Sequence, residues 1–159
     1  MNHVIVKRSL TMGAVAALAL IIPAHRALAG GSECKDVSAD QSATVTSATT
    51  TTGTITHGGI LNGTTADLFT SSLTATPDPN TFSFTDTLTI TSNRGGTLTD
   101  SDVTIYNLAL GVFSTISPVS NGTGSLTGAT GTLFISGSST DGVNFTDKIV
   151  GQICLPERE

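Results

Sequence analysis

Two aspartates interrupt regular alternations of apolar and polar residues, and their positions suit them to chemistry. Asp86 lies in segment 84–88 and Asp147 in segment 145–149, both of which begin Phe-Thr-Asp. A regular strand would point each carboxyl inward with its apolar neighbours, where desolvation raises its pKa. Such a group acts as a general acid or base, or anchors a ligand hydroxyl. Two alternatives stay open: a β-bulge that turns either carboxyl outward, or a carboxyl satisfied by backbone groups or by Arg94.

Other reactive groups are sparse. His57 is the one histidine after residue 29, and we expect it at the surface. Asp100 and Asp102 form a D-x-D fragment, but Ile105 stands where a calcium loop needs Gly, so we interpret the fragment as a solvated strand entrance. The sequence contains no G-x-S-x-G nucleophile motif and no C-x-x-C or histidine cluster for zinc. We therefore predict no metal and no cofactor.

Period-two alternation predicts the strands that position these carboxyls. Between residues 81 and 91 the even positions are Phe, Phe, Asp, Leu and Ile, while the odd ones are all Ser or Thr. Val103 alternates with Ile105 in opposite phase to Tyr106, and segment 143–153 repeats the pattern around Asp147. Gly- and Pro-rich breaks between short runs indicate an all-β fold of seven or eight strands, as a sandwich or a barrel. The small number of large apolar residues favours a barrel.

The N-terminal residues predict export. Lys7 and Arg8 precede an apolar run over 11–23, and Ala27-Leu28-Ala29 is a small-x-small cleavage site, so residues 1–29 are predicted to be a signal peptide. The run is shorter than the roughly 20 residues of a membrane-spanning helix. We expect a secreted or periplasmic protein. Its domains would be a Ser/Thr-rich lead-in at 30–50, a β-barrel at 51–155 and a tail at 156–159.

Charge and cysteine content limit the partners and the covalent chemistry. After residue 29 the chain has four basic and twelve acidic residues, which excludes a nucleic-acid partner and disfavours anionic membranes. Cys34 and Cys154 are the only cysteines. Two lone cysteines in an exported chain usually pair, so we predict a structural disulfide that ties the two ends of the mature sequence together.

A Gly-rich segment carries a family resemblance. Residues 122–131 match the pattern G-T-G-x-hydrophobic-x-G-A-x-G and, with the closing strand at 149–155, resemble the allene oxide cyclase and dirigent-like barrel superfamily. The resemblance covers about residues 51–155 and implies an eight-stranded antiparallel barrel with an apolar cavity, often assembled as a trimer. Members guide cyclisation or coupling of hydrophobic intermediates. Leu126 within the segment is expected to plug one mouth of the barrel.

Three functions compete at this point. The leading hypothesis is a binding module that holds a small hydrophobic ligand in its cavity. The second is an isomerase or cyclase related to allene oxide cyclase, which needs Asp86 or Asp147 in the cavity. The third is a structural or adhesive surface protein with a filled core and an unpaired edge strand. The residues expected to bind the ligand are Phe82, Phe84, Leu88, Phe145 and Ile149.

Overall fold

The computed structural model describes residues 32–157, which form nine β-strands and two short 3-10 turns. Within this range no helix is long and apolar enough to cross a lipid bilayer. The turns, Gly59–Leu61 and Gly124–Leu126, follow the second and seventh strands. The strands are β1 (Ser32–Ser47), β2 (Thr50–Thr56), β3 (Gly63–Phe69), β4 (Thr74–Ala75), β5 (Thr81–Ser92), β6 (Thr97–Asn107), β7 (Val112–Gly122), β8 (Thr130–Ser138) and β9 (Asn144–Pro156).

The sheet closes on itself. Neighbouring strands are antiparallel in the order β3-β2-β1-β9-β8-β7-β6-β5-β4, and β3 also pairs with β5 from Gly63 opposite Ser92 to Phe69 opposite Asp86. The result is an eight-stranded antiparallel barrel with the two-residue β4 as an outer strand, which confirms the predicted all-β barrel. Closure pairs both sides of each barrel strand and removes the exposed edges that make Thr-rich sheets prone to association.

The main departure from the sequence prediction lies in β1. The expected lead-in at 30–50 is instead occupied over residues 32–47 by the longest strand, which pairs with both β2 and β9. Its buried apolar residues are Val37, Ala39 and Ala43. Because these side chains are small, they give little hydrophobic periodicity, although small inward residues suit a barrel interior. The predicted signal peptide at 1–29 lies outside the described residues.

One end of the barrel is filled by aliphatic side chains. Leu61 and Leu126 end the two 3-10 turns and are 0% and 1% exposed. The prediction that Leu126 plugs one mouth is therefore confirmed. Both leucines belong to one core cluster, whose other members are Val37, Ala39, Ile55, Leu88, Ile90, Leu98, Ala129, Leu133, Ile135, Ile149 and Ile153.

The Gly-rich segment reaches this end through a close backbone approach to the β5–β6 turn. Gly124 has a φ of 56°, and a Cβ added there would lie 2.8 Å from the Cα of Gly96. The backbone N–H of Ser125 donates to the carbonyl oxygen of Gly95 at 2.9 Å. A side chain on Gly124 would therefore be strained and would separate the two turns, so the Leu126 plug depends on glycine there.

The predicted disulfide between Cys34 and Cys154 is confirmed. The two cysteines are direct partners in the pairing of β1 with β9. The bond therefore crosses the seam between the first and last strands, beside the filled end of the barrel. A structural disulfide is typical of proteins that fold in an oxidising compartment.

Candidate functional site

The other end of the barrel opens into a cavity of about 620 Å³. Five aromatic side chains line it: Phe69, Phe84, Tyr106, Phe113 and Phe145. The rings of Phe69 and Phe84 meet edge to face with centroids 5.2 Å apart, and those of Phe113 and Phe145 do so at 5.9 Å. Edge-to-face pairs restrain the orientation of both rings, which helps the mouth keep its shape without filling it.

The residues expected to bind a ligand divide into two groups. Phe84, Leu88 and Phe145 line the cavity. Ile149 lies below it in the closed-end core and is 0% exposed. Phe82 stands near the start of β5 opposite Tyr106 and is not among the lining residues. The alternation in β5 and β9 gave the correct inward face, but depth along the barrel decides which inward residues reach the cavity.

Asp86 and Asp147 both point into the barrel and line the cavity. They are 5% and 8% exposed, so the alternatives in which a bulge turns them outward or Arg94 satisfies them are wrong. Arg94 is exposed in the β5–β6 turn. Asp86 lies directly opposite Asp102 on β6, and Asp147 lies directly opposite Gln41 on β1.

Three further aspartates face the interior, and the sequence prediction missed them. Asp100 and Asp102 are 0% and 3% exposed, so their interpretation as a solvated strand entrance is wrong, and Asp67 lines the cavity from β3. Val103 and Ile105 of β6 are apolar but face outward, with 53% and 54% of their surface exposed. The available signal was the opposite phase of β6, where Leu98, Asp100, Asp102, Thr104 and Tyr106 share one face.

One hydroxyl group contacts two of these carboxyls. The Oγ of Ser117 on β7 lies 3.0 Å from Asp100 Oδ2 and 2.6 Å from Asp102 Oδ1. A serine hydroxyl has one hydrogen, so both contacts are hydrogen bonds only if one carboxyl is protonated and donates to Oγ. Burial raises the pKa of Asp100 and of Asp102 to about 7, which is consistent with a proton held between them near neutrality.

Asp67 and Asp86 form a second carboxyl pair. Burial, reinforced by the charge of Asp67, raises the pKa of Asp86 to about 8, and burial raises the pKa of Asp67 to about 6. The two carboxyls interact with each other, and Asp67 Oδ1 is buried without a hydrogen-bond partner. The hydroxyl of Thr104 donates to Asp86 Oδ1 at 3.2 Å and contacts that of Thr115 at 2.8 Å. Two like charges this close cannot both persist, so the pair shares a proton near neutrality.

Asp147 stands apart from both pairs. Burial alone raises its pKa to about 7. Its Oδ1 atom is buried without a hydrogen-bond partner, and so is the Oε1 atom of Gln41 opposite. The Gln41 amide nitrogen donates to Thr65 Oγ1 at 3.3 Å. These two unsatisfied acceptor atoms belong to direct cross-strand partners on β1 and β9.

The described residues offer these carboxyls no cation. Lys35, His57, Arg94 and Lys148 are the basic residues of the range 32–157, and all lie outside the barrel. Lys148 Nζ and His57 Nδ1 both contact Asp40 on the outer surface, at 2.6 and 3.2 Å. His57 is at the surface, as predicted. No three acidic, histidine or cysteine side chains between residues 32 and 157 are grouped so that they could hold a metal ion.

Comparisons of the chain with protein-family models, with curated proteins and with solved structures find no match. The allene oxide cyclase-like type of the barrel therefore remains a prediction from residues 122–131 and 149–155. The site itself is defined by its own geometry: a one-ended cavity with an aromatic mouth and a carboxyl-lined floor.

Proposed function

We propose that this protein binds a small, mainly apolar ligand inside its barrel. The observation that carries the proposal is the cavity of about 620 Å³, which the chain's own side chains leave unfilled although the opposite end is densely packed. Ligand pockets typically measure about 300–1,000 Å³ and combine an apolar lining with a few polar groups that orient the ligand. The aromatic mouth and the buried carboxyls supply these two parts.

The proposed location is secreted or periplasmic. Two observations support it. The disulfide fits an oxidising compartment, and the sequence of residues 1–29 has the pattern of a cleaved signal peptide. A ligand would then be met outside the cytoplasm, and the cavity would shield its apolar part from water.

Native mass spectrometry of mature protein from the exported fraction tests the binding proposal. We expect a co-purified small molecule that is lost on denaturation. Ala43→Trp fills the cavity from β1 and should abolish the adduct, whereas Ser42→Trp on the outer face of the same strand should keep it. An adduct retained equally by both variants would place the ligand elsewhere, and a ladder of subunit multiples without any adduct would favour an assembly protein.

An isomerase or cyclase is the second candidate, and the raised pKa of Asp86 favours it. A carboxyl that is protonated at neutral pH donates a proton to a substrate oxygen and recovers one later in the cycle, so no co-reactant is needed. Incubation of mature protein with a hydrophobic epoxide should then give a rearranged product of equal mass. Asp86→Asn should abolish that conversion while ligand binding persists. If the wild-type protein binds the epoxide without converting it, the isomerase or cyclase candidate is rejected and the binding module is retained.

The adhesive alternative depends on a free strand edge, and the oligomeric state is a separate question. Donor-strand assembly needs an unpaired edge, and among residues 32–157 the closed barrel leaves only the two-residue β4 beside β5 as an outer strand. The homo-oligomer implied by the family resemblance, a trimer, remains a prediction. Light scattering on the mature protein measures it directly.

A further inference from the structure

We propose that the ligand carries an amine, and that its nitrogen is held between the Asp147 carboxylate and the Gln41 amide oxygen. This inference deepens the proposed function and rests on it. The ligand class is a small organic amine with one ammonium group and an apolar body, preferably one with a ring.

The two acceptor atoms define the position of the nitrogen. Asp147 and Gln41 are direct cross-strand partners, which places their Cβ atoms about 5 Å apart on one face. Both residues line the cavity and are more than nine-tenths buried, and Asp147 Oδ1 and Gln41 Oε1 have no hydrogen-bond partner. A buried acceptor without a donor costs free energy, and a ligand N–H group removes that cost for both atoms.

The neighbouring strand β8 places no side chain beside the Asp147 carboxyl. Gly137 on β8 lies opposite Asp147, and a Cβ added to it would come 2.4 Å from the Asp147 Cβ. Glycine therefore contributes no donor to the carboxyl and permits the close approach of β8. The next inward residue of β8, Ile135, is apolar. The nearby protein thus satisfies neither acceptor.

The balance of donors, acceptors and charges in the cavity favours a cationic ligand over an anionic or a neutral one. The interior holds the carboxyls of Asp67, Asp86 and Asp102 in addition to Asp147, and all four basic side chains of residues 32–157 lie outside. An anionic ligand would add like charge to these groups. A neutral alcohol brings one donor, whereas a primary ammonium brings three donors and a compensating charge.

The aromatic mouth fixes the rest of the ligand. Phe145 lies two residues before Asp147 on the same face of β9, about 7 Å away along the strand. Tyr106 and Phe113 flank Phe145 with ring centroids at 6.3 and 5.9 Å. A ring placed among them and a two-carbon link to the nitrogen match this separation, so 2-phenylethylamine is a suitable probe.

Proton linkage gives the amine a distinctive signature. Burial raises the pKa of Asp147 to about 7, so the empty site is largely protonated at pH 6, and an ammonium displaces that proton. The groups that face Asp147 are Gln41 from β1, which does not titrate, and Asp67, Asp86, Asp102 and Tyr106 from across the cavity. Lys148 and Asp40 are paired outside. The three facing carboxyls also have raised pKa values, so amine affinity should increase from pH 6 to pH 8.

Calorimetric titration of mature protein at pH 8 with 2-phenylethylamine, 2-phenylethanol and 3-phenylpropanoate tests the inference. The amine should bind at least tenfold more tightly than the alcohol, and the acid should bind weakest. Asp147→Asn should weaken the amine at least tenfold and the alcohol less than threefold. Asp36→Asn, which removes an exposed carboxyl from β1, should change neither. At pH 6 in two buffers of different ionisation enthalpy, wild-type protein should release a proton on binding the amine, a result that does not depend on a variant folding.

The two proposals fail differently. If the alcohol or the acid binds as tightly as the amine or more tightly, the amine proposal is overturned while the proposed ligand-binding function stands. Amine binding without proton release at pH 6 also overturns the role of Asp147. No binding of any probe, together with no adduct on the exported protein, overturns both.

Discussion

The two ends of the barrel are built from the same strands, but one end is packed with aliphatic side chains and the other opens into a cavity. At the closed end, aliphatic side chains from the wall form one buried cluster with Leu61 and Leu126. At the open end, small residues such as Ala43 and a ring of aromatics surround a cavity above buried aspartates. Hydrophobic packing at one end can stabilise a fold in which the other end retains groups that are costly to bury. Stability and the proposed ligand binding are therefore expected to be separable along the barrel axis.

The largest expected effect concerns pH, because it arises from all the interior carboxyls together. An aspartate has a pKa of about 3.9 in an unfolded chain, whereas burial raises that of Asp86 to about 8 and those of Asp100, Asp102 and Asp147 to about 7. The folded protein then holds protons that the unfolded chain releases, so the free energy of unfolding falls as pH rises.

Between pH 5 and pH 8 the loss should reach about 5 kcal/mol or more, since each titrating group contributes about 1.4 kcal/mol per pH unit. Chemical denaturation at several pH values measures it. Asp86→Asn should flatten the curve, and Asp36→Asn on the outer face should leave it unchanged. A free energy of unfolding that rises from pH 5 to pH 8 would show that the folded protein does not raise the pKa values of its interior aspartates.

The disulfide gives the next largest effect, and it acts at the closed end. Replacing Cys34 and Cys154 together by Ser should lower the free energy of unfolding by about 4–5 kcal/mol, because the bond closes a loop of 120 residues in the unfolded chain. Ligand affinity in the cavity should change less than twofold. Denaturation and ligand titration of the same preparation separate the two, and a large loss of affinity would show that the ends are coupled.

Leu126 and Phe145 provide a crossed comparison of the two ends. Leu126→Ala removes a fully buried plug and should cost about 3 kcal/mol in the free energy of unfolding with less than a twofold change in ligand affinity. Phe145 is only partly buried, so Phe145→Ala should cost about 1 kcal/mol but weaken the ligand at least tenfold. Thermal unfolding and ligand titration of both variants check this, and parallel losses in both measurements would contradict the separation.

Ser117→Ala should have the smallest effect of the four. It removes the hydroxyl shared by Asp100 and Asp102 and should cost about 1–2 kcal/mol at neutral pH. The cost should be greater at pH 8 than at pH 5, because the unpaired carboxyls are then ionised. Denaturation at both pH values measures it, with Ser114→Ala on the outer face of β7 as the control. An equal loss in the free energy of unfolding at the two pH values would mean that the Ser117 hydroxyl does not stabilise ionised carboxyls.

The sequence predicted the barrel and part of the site because β5 and β9 alternate regularly. That alternation placed Asp86, Asp147, Phe84 and Phe145 on the correct face. It misled in β6, where Val103 and Ile105 are apolar yet exposed while the acidic residues face inward. The rule that apolar residues face the core fails there because the interior at that depth is a carboxyl-lined cavity.

Two other features required three-dimensional information. β1 has small inward residues, so its membership of the barrel follows from pairing with β9, which lies far away in the chain. The unsatisfied pair of Gln41 and Asp147 arises from the register of those same strands and from the absence of a side chain at Gly137. None of these relations leaves a periodic signal along a single segment.

The seam between β1 and β9 also sets the order of events during synthesis. The first strand of the described barrel pairs with the last one, so the barrel cannot close until Asn144–Pro156 has been synthesised. Oxidation of Cys34 with Cys154 then reports that this seam has formed, because the pairing of β1 with β9 brings the two thiols into register.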